Sequence, residues 1–186
     1  MQQTGHHFVY GTLNDYLTGV ELPDTDDERY RQSLARLLVE EKGFTKEELE
    51  PRLTIETWFN RSFVRSVIDL TVSLNGQRRL LLRYGPGSLV TREKPALAAA
   101  RVLDASCCLP LAVVTNGQDA ELLETHKGKV LAVGMTALPD RTQLAELVAQ
   151  HSPRPPLTGL ERERNLRVLN AFDVEACCRA AKCRLP

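Results

Sequence analysis

The chain has 186 residues, enough for one well-buried domain with appendages and little more. Its 24 lysines and arginines balance 24 aspartates and glutamates, so no global positive field draws it to nucleic acid or to an anionic membrane. No stretch is apolar over the ~18 residues that a spanning helix needs. The five cysteines fall in two tight groups, Cys107-Cys108 and Cys177-Cys178 with Cys183, unlike a disulfide framework, and the start of the chain lacks a secretion signal. The expectation is a cytoplasmic protein with reduced thiols and no membrane partner.

In chain order, "PDTDDERYRQSLARLLVEEKGF" predicts a helix. Thr25 and Glu28 have capping-box spacing, Tyr30, Leu34, Leu37, Leu38 and Glu41 share a face, and Gly43 stops the run. A second capping box, Thr45 to Glu48, predicts a short helical turn. "RLTIETWF" and "SFVRSVIDLTVSL" read as strands, and Asn75-Gly76 turns the second into "QRRLLLRY", giving an antiparallel meander of about three strands.

Beyond Gly85-Pro86-Gly87, "REKPALAAARVLDASC" has a helical pattern and "LPLAVVTNG" is a continuous apolar run of the buried-strand kind. Strand, helix, strand implies a crossover and a parallel pair. "AELLETHKGKVLAVG" reads as a small hairpin, "DRTQLAELVAQH" as a capped helix, and "SPRPPLTG" as a linker. In the tail, Leu166, Val168, Phe172 and Val174 alternate with Arg167 and Asp173, which favours an edge strand over a helix. The boundaries expected are an N-terminal extension at 1–22, an α/β domain at 23–139, and a C-terminal helix, linker and cysteine-containing tail at 140–186.

The blocks "DERYRQSLARLLVEEKGF", "VIDLTVSL", "LLLRYG" and "LPLAVVTNG", in that order, resemble the N-terminal nuclease domain of type I restriction enzyme R subunits, in the PD-(D/E)xK or restriction-endonuclease-like superfamily. The similarity runs from residue 26 to about 132. It implies a restriction-endonuclease-like α/β fold, a mixed sheet with the first helix on one face and the crossover helix on the other. Leu34, Leu37, Leu38, Ile68, Leu70, Leu80, Leu82, Val113 and Val114 are the expected core.

In that family a helix glutamate, a strand aspartate and a Glu-x-Lys at the end of the third strand act together. Carboxylate oxygens hold a hard cation such as Mg²⁺, and the lysine stabilises charge at the scissile phosphate. Glu28 and Asp69 stand at the first two stations, the candidate catalytic residues, with Asp69 the candidate metal ligand if activity survives. The third station reads Arg83-Tyr84-Gly85, and the crossover helix lacks the family's Gln-x-x-x-Tyr.

Each residue also has a simpler reading. Glu28 fits the third position of a capping box, reaching back to the Thr25 N–H. Asp69, inside a β-branched strand, must be solvated, paired or ligated, and Arg83 across the Asn75-Gly76 hairpin is its expected ion-pair partner. Arg78, Arg79, Arg83, Arg92 and Lys94 with Tyr84 form the densest basic stretch, able to grip phosphates and stack a base, or equally a hairpin edge kept soluble by charge.

Two functional readings of different classes follow. One is a catalytically degenerate nuclease-like domain that binds DNA, or another protein of a restriction or repair system, with no cofactor. The other is a Mg²⁺-dependent endonuclease with a displaced motif, drawing on Asp69, Glu28 and either Glu56 or Glu93. Beside these two stands a blander reading, a plain interaction module without nucleic acid. The cysteine tail, Cys177, Cys178 and Cys183, lacks zinc-knuckle spacing and reads as reduced surface thiols.

Overall fold

The computed structural model describes residues 8–59 and 62–179. Two short strands, β1 (Gly11–Asn14) and β2 (Glu21–Asp24), form a hairpin that leads into α1 (Asp26–Arg36), followed by a π turn at Leu37–Glu41. Then come β3 (Leu49–Phe59), β4 (Ser62–Leu74), β5 (Gln77–Tyr84), α2 (Val90–Val102), β6 (Leu111–Thr115), β7 (Ala120–Glu124) and β8 (Lys129–Val133), with α3 (Arg141–Gln150) and α4 (Gly159–Arg179) closing the chain.

The main sheet has six strands in the order β3-β4-β5-β6-β7-β8, and β5 and β6 are the parallel pair that the crossover through α2 requires. Asn75 and Gly76 both have positive φ, 54° and 73°, as a two-residue turn matched to strand twist demands. One face of the sheet carries Leu70, Val72, Leu80, Leu82, Leu111 and Val113 and packs on Leu34 of α1, Leu38 of the π turn and Leu144 of α3. The other carries Ile68, Leu81, Ala112 and Val114 and packs on the alanine-rich α2 and on Leu169 of α4. Leu37 is only half-buried, and Glu41 is exposed at the end of the π turn.

The tail is helical throughout its described length, so the expected edge strand is wrong. Leu166, Leu169, Asn170 and Asp173 recur every three or four residues along α4 and turn inward, while Phe172, assigned by alternation to the buried side, is 46% exposed. Glu163 and Arg167 form an i,i+4 pair of the kind that favours a helix. Packing of α4 on α2 and β4 adds a third contact across this face. The helix runs through Cys177 and Cys178, whose side chains, like Cys183, lie outside the described residues.

Candidate functional site

A paired kink in β3 and β4 builds the site. Leu49 packs on the α1 side of the sheet and Leu53 on the α2 side, although four residues of regular strand would keep them on one face. Ile68 and Leu70 divide between the two faces in the same way. The change falls at Arg52 and Asp69, which lie between the Pro51–Leu70 and Leu53–Ile68 pairs where the regular pairing is interrupted, and Arg52 has φ of 57°. Left-handed backbone at a β-strand arginine costs on the order of 1 kcal/mol and marks a position held by its surroundings.

The kink turns both side chains toward α1. Asp69 accepts hydrogen bonds from the Tyr84 N–H at 2.7 Å and from Arg31 Nε at 2.8 Å. Arg31 Nη1 also donates to Glu28 Oε2, one turn earlier on α1. Glu28 Oε1 accepts from Gln32 Nε2 at 2.7 Å and from Arg52 Nη1 at 3.0 Å, and Arg52 Nη2 continues to Asp15 Oδ2 at 2.5 Å. The result is one chain of charges, Asp69–Arg31–Glu28–Arg52–Asp15. Its carboxylates belong to residues only 5%, 6% and 3% exposed, so their pairing decides whether the fold can hold them.

Asp15 caps the hairpin loop by accepting from the Leu17 and Thr18 N–H groups and the Thr18 hydroxyl, so the segment before α1 belongs to the site structurally. Burial alone would raise its pKa. Hydrogen bonds from Arg52, Gln32 and Thr18 outweigh burial and hold the carboxyl far below the usual range. A depressed carboxyl contributes stability that is fully present above its unfolded pKa, about 4, and is lost as pH falls below that. Thermal melts between about pH 5 and pH 2 are expected to fall more steeply for the wild type than for Asp15→Asn, which is already destabilised at pH 5.

Several sequence expectations meet this geometry. Thr25 caps α1 by accepting from the Glu28 N–H, but the Glu28 carboxylate points into the charge chain rather than back to Thr25. The expected Asp69–Arg83 ion pair is not formed. Asp69 pairs with Arg31, and Arg83, on the α2 side of the sheet, pairs with Asp173 of α4 at 3.0 Å. The kink is the cause, because it takes Asp69 out of the simple alternation that would have left the two side chains on one face.

The face toward α1 at the end of β5 therefore carries Leu82 and Tyr84. The Tyr84 ring stacks on Tyr30 at 4.0 Å, and the Tyr30 hydroxyl is 2.9 Å from Thr115 Oγ1. Arg92 from α2 reaches over Gly85 to donate to the Pro86 carbonyl at 2.8 Å, close enough that a Cβ on Gly85 would meet its guanidinium. Its Nε has no partner among the described residues.

The basic stretch divides. Arg83, Tyr84, Arg92 and Lys94 lie at the C-terminal end of β5 and the helix that follows. Arg78 and Arg79 lie at the opposite, hairpin end, where Glu50 and Asp104 neutralise Arg78. Neither auxiliary carboxylate reaches Asp69. Glu56 pairs with Arg65 toward the tip of the β3–β4 hairpin, and Glu93 sits beside Glu121 of β7 on the α2 side.

Burial first, and then the Glu93 charge and hydrogen bond, push the Glu121 carboxyl up, and its Oε2 has no partner among the described residues. A raised carboxyl favours folding below its unfolded pKa and loses that contribution as pH rises through the folded value. Glu121→Gln is expected to raise the Tm at pH 8 and leave it nearly unchanged at pH 4, as paired thermal melts would show.

Arg31, Arg52, Gln32 and Asp15 were not singled out from the sequence. A signal was present: Arg31 and Gln32 lie three and four residues after Glu28, on its face of α1, where an all-surface polar helix would not need them. The π turn and the kink left no such trace.

The six-stranded mixed sheet, with α1 and α3 on one face and α2 and α4 on the other, defines a restriction-endonuclease-like α/β domain, with Glu28 on its first helix and Asp69 on the second strand of its meander. The sequence matches the family described as the type I restriction enzyme R protein N terminus over residues 26–139, and the chain belongs to that family. No curated protein and no solved structure matches it. No helix among the described residues is long and apolar enough to cross a membrane.

Proposed function

We propose that this chain is a catalytically degenerate nuclease-fold domain that binds DNA in a restriction or repair system without cutting it. The observation that carries the reading is Arg31, whose guanidinium bridges Glu28 and Asp69 where the family's divalent cation would need both carboxylates.

The residues present do not fit Mg²⁺. A hard dication takes several oxygen donors with net negative charge, whereas Glu28 and Asp69 are satisfied by a cation that does not dissociate. Leu82 and Tyr84 add no carboxylate from β5. Among the described residues no group of three or more histidines, cysteines, aspartates or glutamates is placed to hold a metal. The displaced-motif alternative, through Glu56 or Glu93, is not supported by where those side chains lie.

Phosphate contact falls to Arg92 and Lys94 with the N–H groups of the loop between β5 and α2. Arg78 and Arg83 have acidic partners and contribute less. The test is plasmid incubation with Mg²⁺ or Mn²⁺ beside DNA binding across a salt series. The expected result is no cleavage, with binding whose logarithm falls linearly with the logarithm of salt and weakens in Arg92→Ala/Lys94→Ala. Binding to protein but not to DNA would favour the interaction-module reading. Cleavage abolished by Asp69→Asn would overturn degeneracy.

A further inference from the structure

A half-open cavity of about 550 Å³ lies at the end of the sheet away from the Glu28–Asp69 site, bordered by the end of α2, the segment before β6, the β7–β8 turn, the linker before α4 and the first turns of α4. That is within the usual range for a small-molecule pocket. Its walls are built rather than incidental. The Cys108 N–H bonds to the Arg154 carbonyl at 2.8 Å and its thiol to the Pro155 carbonyl at 3.3 Å, which pins the linker across the mouth. Arg101 ties the turn down by donating to the Thr125 carbonyl at 2.6 Å and reaches Asn165 of α4 at 3.4 Å.

Inside this frame several groups have no internal use. Thr125 is 1% exposed, yet its hydroxyl has no hydrogen-bond partner among the described residues. A buried hydroxyl is costly to leave unpaired unless something in the cavity accepts from it or donates to it. Arg154 and Arg164 line the cavity, as does Glu161, and neither arginine has a carboxylate partner among the described residues. The one buried acid, Glu124, is spent on the turn, where its two oxygens accept from the His126 and Lys127 N–H groups at 2.8 and 2.7 Å. Pro110, Pro155, Pro156 and Leu157 supply a rigid apolar wall.

We propose that this cavity binds a small organic phosphate, its phosphate toward Arg154 and Arg164 and its body against the proline wall beside Thr125. Two unpaired guanidiniums suit a phosphate, whose oxygens accept from their planar forks, and the wall rewards an attached apolar or planar body over a bare anion. The site is separate from the charge chain on α1, so it stands or falls independently of the proposed DNA binding.

Isothermal titration of the full chain with adenosine monophosphate and with inorganic phosphate tests it. The nucleotide is expected to bind with a Kd of about 1 mM or below and at least roughly tenfold more tightly than phosphate. Arg154→Glu/Arg164→Glu should cost about tenfold or more in nucleotide affinity, because two attractive contacts become repulsive. Both arginines are exposed, so the ligand-free Tm should not move, and DNA binding measured on the same variant separates this site from the other. Equal affinity for nucleotide and phosphate, no binding of either, or nucleotide affinity unchanged by the double reversal would overturn the proposal.

Discussion

Arg31→Ala is expected to destabilise the domain by about 3–5 kcal/mol, the usual cost of removing one partner from a buried ion pair. Among the described residues the guanidinium is the only link between Glu28 and Asp69, and the Arg31 side chain is only 17% exposed. Its loss leaves Asp69 with one partner among the described residues, the Tyr84 N–H, and sets two carboxylates facing each other. For a domain of this length the Tm should fall by roughly 10 °C. A secondary readout makes the result specific. In Arg31→Ala a divalent cation at millimolar concentration should recover part of the lost Tm by binding the exposed carboxylate pair, whereas the wild type should not respond. Arg31→Lys keeps the charge but cannot hold two carboxylates through a planar fork, and should fall between them.

Leu169→Ala should cost about 2–5 kcal/mol, as other buried leucine truncations do. Leu169 is fully buried between α4 and the alanine-rich α2, and small alanines leave the far wall unable to collapse into the space. Hydrogen exchange should show protection of α4 falling first, with β5 and β6 nearly unchanged. Loss confined to α4 would also free Arg83 from Asp173, coupling the tail to the end of β5. A variant as stable as the wild type would mean that α4 is not part of the core.

What the sequence made legible follows from periodicity and turn chemistry. Thr25, Asn75-Gly76 and Asp140 mark local boundaries that tertiary structure did not override, and Leu80, Leu82 and Val113, expected in the core, are buried there. The parallel β5–β6 pair follows from chain connectivity alone. The helix α4 was misread because Leu166, Val168 and Phe172 satisfy a period of two as well as their neighbours satisfy 3.6, and burial on α2 settles the choice.

The site was half legible. Glu28 and Asp69 stand out by type and position, and the family match over residues 26–139 supports the frame they sit in. Their partners depended on the kink at Arg52 and Asp69, a change of face that no single-residue propensity encodes. Counting across the hairpin brings Arg83 near Asp69, one position beyond the Leu70–Leu82 pair, yet the local rotation of β4 sends the two side chains to different sides of the sheet.

In the proposed reading a guanidinium stands where a nuclease would bind its metal. Titration of the wild-type protein with Mn²⁺, followed by the paramagnetic signal of the free ion, tests it most directly. No site tighter than about 1 mM is expected, because Glu28 and Asp69 are already held by Arg31. One equivalent of Mn²⁺ bound at micromolar free concentration, and lost in Asp69→Asn, would contradict it.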